Sequence, residues 1–160
     1  MAIVKRAERQ HYLNVGTAQN PSWSLIGEGF TEFTESKNAT SYSRRYIHEI
    51  TKRTDVTGYA PTIDYELEVY ADSPVIGKIR QITDRELVGD DAKVDILAVD
   101  LFDETTTAGV YRAIRRPYSV IPDECGEGTD ALCYTGTMKA VGDITPGTFV
   151  KSSGVFTADA

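Results

Sequence analysis

The chain has 160 residues, 41% of them hydrophobic and 26% charged, the size and balance of one globular domain with its own core, which excludes wholesale disorder. Its net charge of −7 is unevenly placed: eight basic against six acidic side chains over residues 1–59, four against twelve over 60–108, five against six over 109–160. An acidic middle argues against a nucleic-acid binder, which needs a basic footprint to release counterions, and no apolar run approaches the roughly 18 residues of a membrane helix.

The opening MAIVKRAERQHY lacks the apolar run of a secretory signal. The expectation is therefore an unexported chain in which Cys125 and Cys133 stay reduced. Their spacing is not that of a redox or zinc pair, so they read as small packing residues. Residues 1–9 and 154–160 are polar enough to be loose in an isolated chain and to order only against neighbours. SWSLIGEGFTEFTE reads as a strand-like run, with the single Trp23 as core.

Next comes SKNATSYSRRYIHEITKRTDVTGYAP, from Ser36 to Pro61. It is too polar for a core and too rich in β-formers for a slack linker. Loops longer than about 12–15 residues inside a compact domain are uncommon and usually bind something. This one carries Lys37, Arg44, Arg45, Lys52 and Arg53 among Tyr42, Tyr46, Ile47, Ile50, Val56 and Tyr59. Aromatic and Arg side chains make interface hot spots. The segment is expected to be an outsized arm whose partner is another protein surface.

From Thr62 to Tyr70 the pattern alternates, Ile63, Tyr65, Leu67 and Val69 against Asp64, Glu66 and Glu68, predicting a half-buried strand with a charged outer face. In ADSPVIGKIRQITDRELVGDD, Val75, Ile76, Ile79, Ile82 and Leu87 recur at helical spacing. Ser73 is an N-cap, Pro74 the first helical residue and Gly89 the expected stop. This predicts a helix over about 74–88, with Lys78, Arg80, Asp84 and Arg85 toward solvent. Residues 92–102 are apolar on both parities, as in a central strand. Residues 103–109 read as a turn, and 110–121 as a strand in which Pro117 marks a bulge or edge. Strands 133–141 and 149–156 follow, with turns at Gly126–Gly128 and Pro146–Gly147. One helix among six to eight strands predicts a mainly β fold, a sandwich or barrel with the helix packed across it, as a single domain over 1–160.

Catalytic chemistry is poorly represented. Only His11 and His48 are available as candidate bases, and there is no phosphate cradle, nucleophile elbow or metal spacing. His48, among Tyr and Arg in the arm, reads as a surface or interface residue. Asp123, Glu124 and Glu127 could gather a cation, but they flank glycines in an expected surface loop. Asp90–Asp91 is the acidic turn expected after a helix. Asn38-Ala39-Thr40 is a sequon without an export route. Arg115–Arg116 reads as a solvated strand face or an ion-pair partner. No cofactor is expected and the chain is not expected to be an enzyme.

Taken together, Trp23–Phe30, the polar arm, Gly58–Pro61 leading into 63–70, Asp72–Val75, Gly89–Asp91, Ala113–Val120, Tyr134–Gly136, Ala140–Asp143 and Gly147–Phe149 resemble the major tail tube protein of long-tailed bacteriophages and phage-derived bacteriocins, over most of the chain. The resemblance implies a β-sandwich or barrel flanked by a helix, forming sixfold rings that stack into a hollow tube. Its inner sheets would join around the channel, and its arm would reach neighbouring subunits through Tyr42, Arg44, Arg45, Tyr46, Ile47, His48, Ile50, Lys52, Arg53 and Tyr59. Closing a barrel from several copies also removes exposed sheet edges. The implied partners are further copies of itself, tape measure and tube-end proteins of the tail, and genomic DNA passing without specific binding. The implied place is the virion tail, assembled in the host bacterial cytoplasm, with no membrane insertion.

If Asp64, Glu66 and Glu68 line the channel, repeated negative charge keeps the phosphate backbone from adhering; otherwise they are an ordinary solvated face. The basic residues Arg44, Arg45, Lys52 and Arg53 would meet the acidic strip at 84–104 of a neighbour, setting register. Two other readings remain: another ring-forming component of a tail-like injection or secretion tube, and, in a different class, a β-sandwich module recognising a glycan or peptide. A small hydrolase built on His48 comes last.

Overall fold

A computed structural model describes residues 1–126 and 129–160. After a 3-10 turn at Arg6–Glu8 the strands are β1 (Arg9–Asn14), β2 (Trp23–Ile26), β3 (Phe30–Ser36), β4 (Thr40–Arg44), β5 (Arg53–Gly58) and β6 (Thr62–Glu68). Helix α1 (Pro74–Asp84) and a 3-10 turn at Gly89–Ala92 lead into β7 (Lys93–Glu104), β8 (Val110–Gly126), β9 (Cys133–Ala140), β10 (Thr145–Val150) and β11 (Val155–Ala158). Seven strands run β2-β1-β7-β8-β9-β6-β3 and β10-β11 joins along β8, while β4 and β5 form a separate pair. The sheet curls into a half-barrel with one helix, the mainly β class expected. Curling brings the two ends of the strand order together: the rings of His11 on β1 and Phe33 on β3 lie 4.8 Å apart, and Arg6 donates to the Phe33 carbonyl on the edge strand.

Helix α1 covers one face. Val75, Ile76, Ile79 and Ile82 pack with Leu13, Ile26, Ile63, Tyr65, Leu67, Val94, Ile96, Tyr118, Val120, Tyr134 and Met138, one apolar stripe at helical spacing against one parity of each strand. On the other face Tyr12, Leu97, Val99, Ala113 and Phe149 form a second cluster, flanked by Trp23 and Phe156. Residues on β7 alternate between these two cores, which is why that strand is apolar on both parities. Leu67 is fully buried. Leu67→Ala is expected to cost about 2–5 kcal/mol, read as a lower denaturant midpoint at unchanged slope.

The structure revises several expected boundaries. The helix starts as predicted, the Ser73 Oγ accepting from the Ile76 N–H at 3.3 Å, but it stops at Asp84. Glu86 takes the left-handed conformation (φ 51°). The Glu86 and Leu87 N–H groups then donate to the Thr83 and Ile82 carbonyls, a Schellman closure without its usual glycine. Gly89 instead opens the 3-10 turn.

There are eleven strands among the described residues, not six to eight. Strand β1, unanticipated, is central between β2 and β7, and the run 22–35 divides into β2 and β3 at a turn where Gly29 has φ 95°. A side chain at Gly29 would strike the Glu68 carbonyl at 2.7 Å. Residues 149–156 are two strands of a hairpin, and Pro146–Gly147 lies inside β10, where a Cβ on Gly147 would strike the Thr157 carbonyl. Residues 155–158, expected to be loose, pair with β10 in their own chain.

Pro117 marks neither edge nor bulge. It sits where β8 passes from its β10 partner (Arg115↔Thr145) to its β9 partner (Tyr118↔Ala140). Its carbonyl accepts from Val141 on that side, so its missing N–H falls in the gap between partners. Of the expected turn Gly126–Gly128, residues 127 and 128 lie outside the described residues.

Candidate functional site: the hairpin arm and the acidic face

The arm is a β-hairpin continuing outward from β3 and β6. Its strands pair Thr40↔Gly58 to Arg44↔Arg53 with a register shift at Thr40/Ser41. At its base the Ala60 N–H donates to the Lys37 carbonyl at 3.3 Å. The Asn38 side-chain amide, on a residue with φ 49°, donates to the Ala60 carbonyl and the Thr62 hydroxyl. Nothing in the arm reaches either core.

Its tip is nevertheless ordered. Arg44 pairs with Asp55 at 2.5 Å, and Arg53 pairs with Glu49. The Tyr46 ring has the guanidinium groups of Arg44 and Arg53 at 5.9 and 5.4 Å, and His48 stacks on it at 6.3 Å. Arg44 also sits 5.2 Å from the Tyr42 ring. The structure thus gathers Tyr42, Arg44, Tyr46, His48 and Arg53 into one cation–aromatic cluster. Ile47 and Ile50 project from it, 107% and 94% exposed. Arg45, Lys52 and Tyr59 are exposed outside that cluster.

Charge complementarity between the arm and the strip at 84–104 is weaker than the residue count suggested. Arg44 and Arg53 are neutralised by Asp55 and Glu49, leaving Arg45 and Lys52 without an ion pair among the described residues. In the strip, Asp84 accepts from the Tyr134 hydroxyl at 2.7 Å. Asp90, Asp95, Asp100 and Asp103 pair with Lys93, Arg115, Arg9 and Arg112 of their own chain.

Asp64, Glu66 and Glu68 do share the face of β6 turned away from the helix, since Ile63, Tyr65 and Leu67 are buried beneath it. The sequence reading missed a fourth member. Glu32 on β3 stands directly opposite Glu66, although like charges in that position destabilise a sheet. Alternation from Phe33 would have placed Glu32 outward, but a register shift between Phe30 and Glu32 obscures it. The four acids have no ion pair among the described residues; Asp64 accepts from the Thr137 hydroxyl at 3.1 Å, and Lys139 stands beside Thr62 at the arm end of the same face. A fold that tolerates such a row without counter-ions presents a strongly negative surface.

The two histidines lie far apart in character. His48 is exposed on the arm tip, its Nε2 3.8 Å from Glu49. His11 is 8% exposed, and burial, reinforced by Arg6 and Arg9, lowers its pKa to about 4 while Glu35 partly opposes this. An unfolded chain takes up that proton near pH 6.5, so His11 contributes stability that is present above pH 6.5 and lost as pH falls toward 4. The loss amounts to about 3 kcal/mol. Denaturant titrations at pH 7 and pH 4 should show a fall smaller by this amount in a His11→Phe chain. Among the described residues no three His, Cys, Asp or Glu side chains are grouped to hold a metal; Glu127, named with Asp123 and Glu124, lies outside them.

No protein-family model matches the chain, and no curated protein matches its sequence. Among solved structures it is similar to a chain of the tail of an empty GTA (gene transfer agent) particle with C6 helical symmetry. That chain is 14% identical with a TM-score of 0.61, and the match covers 98% of this chain and 100% of that one. It is also similar to a chain of the sixfold-symmetrised baseplate of the anti-feeding prophage, 10% identical with a TM-score of 0.52, covering 91% and 95%. The chain shares the fold of these two components.

Proposed function

We propose that this chain is a non-catalytic structural subunit of a phage-like tail, self-assembling as stacked hexameric rings into a hollow conduit for DNA. The observation that carries the reading is the likeness to a chain of a C6-symmetric tail over nearly the whole of both chains. Two features of the molecule support it. An ordered arm leaves the body and offers bare apolar side chains, and an uncompensated acidic face suits a surface that a polyanion must pass without sticking. In this reading Glu32, Asp64, Glu66 and Glu68 face the lumen, and the arm tip seats on an adjacent copy. The likeness to a baseplate chain favours one alternative, a ring at the end of such a tube. Negative-stain electron microscopy of the purified chain distinguishes them: long hollow filaments support the tube subunit, isolated rings the tube-end component. Dispersed monomers at every concentration would sink both.

A further inference from the structure

On the helix-covered side of the sheet, where no residue of α1 reaches, β1, β3, β7 and β8 enclose a cavity of about 70 Å³. The acidic face does not use it, and of the arm segment only Lys37, at its base, lines it. Arg9, His11, Lys37, Arg116, Glu35 and Tyr118 provide its polar lining. Two of the cations already have partners, Arg9 with Asp100 at 3.5 Å and Lys37 with Glu35. Arg116 has no carboxylate partner among the described residues; its side chain meets the Tyr118 hydroxyl, while its Nε is buried without a hydrogen bond. A buried donor left unmade is costly; Arg80 and Arg115 share this at their Nε atoms, but both have a carboxylate within 4 Å, which Arg116 lacks. Nearby, Arg6 donates to the Arg9 and Phe33 carbonyls, adding positive charge without an anion.

The rest of the lining is aliphatic, with Ile114 and Ile144 partly exposed at 37% and 48%. The volume is that of about two waters, room for one carboxylate group and far too little for a nucleotide. A bare inorganic anion would find donors here but gain nothing from the isoleucines; a carboxylate on a carbon stem matches both. Of the chain's own acids, Glu35 in the lining is already paired with Lys37, and Asp143 stands exposed beside Ile144 at the rim without an ion pair among the described residues. Asp123 and Glu124 are seven and eight residues along β8 from Arg116, about 23 Å or more in an extended strand.

We propose that this pocket receives one carboxylate on an aliphatic stem, an Asp or Glu side chain of a second copy of this chain, held by Arg116 with Arg9. The second copy as its source rests on the assembly proposed above; the chemistry of the pocket does not.

Propionate and inorganic phosphate serve as probes on the unassembled full-length chain at pH 6.5, followed by NMR at the Arg116 Nε–H and at the His11 ring, with His48 on the arm as internal control. Expected are saturable shifts at Arg116 and His11 with propionate, an unmoved His48, and binding at least tenfold weaker in Arg116→Gln. No shift with either probe overturns the site, and a response to phosphate alone overturns the carboxylate. Should Arg116→Gln not fold, the titration of the natural chain decides. For the source, propionate should lower the sedimented polymer yield relative to sodium chloride of equal ionic strength, as should Arg116→Gln. Undiminished polymer in both overturns the second copy as donor while leaving the tube reading intact. A natural chain that forms no polymer removes the second copy and the tube reading together, and the NMR titration still judges the pocket.

Discussion

Deleting Asn38–Thr57 is expected to give a folded, soluble monomer that no longer polymerises. The excision is structurally mild. It joins Lys37 to Gly58 and leaves Lys37-Gly58-Tyr59-Ala60, whose outer residues are already linked by the Ala60 N–H donating to the Lys37 carbonyl. Glycine then occupies the first central position of a two-residue hairpin loop, as a type II′ turn requires. No removed side chain belongs to either core, so the change in unfolding free energy should stay near 1 kcal/mol or below. Assembly loses everything the arm offers: Ile47 and Ile50, and the cation–aromatic cluster that holds them in place. Because that cluster is ordered before contact, little conformational entropy remains to be lost on docking. Sedimentation velocity together with thermal unfolding checks both halves. Filaments from the deleted chain would show that the arm is not the assembly element.

Reversing charge at Asp64, Glu66 and Glu68 to Lys should leave assembly and stability largely intact and block passage of DNA. Stability should hold because Glu66→Lys turns the like-charge pair with Glu32 into an attractive one, a gain of about 0.2–1 kcal/mol, while Asp64→Lys gives up the hydrogen bond from Thr137. With six copies per ring in the proposed tube, each ring would trade eighteen negative charges for as many positive ones, roughly what converts a repelling wall into a polyanion-binding one. The measurement is DNA delivery by particles carrying the variant, against particle yield by microscopy. Normal delivery at normal yield would remove the lumen assignment and leave these residues as an ordinary solvated face.

Legibility in the sequence followed burial asymmetry. Strand β6 and the start of α1 could be read because each buries one face, so its period survives in the residue order. Strand β1 could not: packed on both faces, Leu13 in one core and Tyr12 in the other, it buries His11, Tyr12, Leu13 and Asn14 in succession, and two of those four are polar. The helix end was misplaced because a glutamate performs the left-handed closure that a glycine usually makes. The β10–β11 hairpin was read as one strand although its tight turn ends in Ser153-Gly154, a turn-marking dipeptide, because Phe149, Val150, Val155 and Phe156 on either side are all β-formers.

The arm was recognisable by length and composition, yet its internal order rests on pairs such as Arg44–Asp55 that depend on hairpin register. Glu32 joins the acidic face only through strand pairing across a register shift. The pocket at Arg116 was least accessible of all, because it gathers residues from four separate strands by the curling of the sheet.

Strand β8 runs unbroken for seventeen residues and is bonded in turn to β7, β9 and β10, so one continuous ribbon ties the two halves of the body together. Such a beam stiffens the body along its length. In the proposed tube, bending and stretching would then be absorbed at the joints between blocks, and the compliance of the whole would become a property of the slender outlying hairpins.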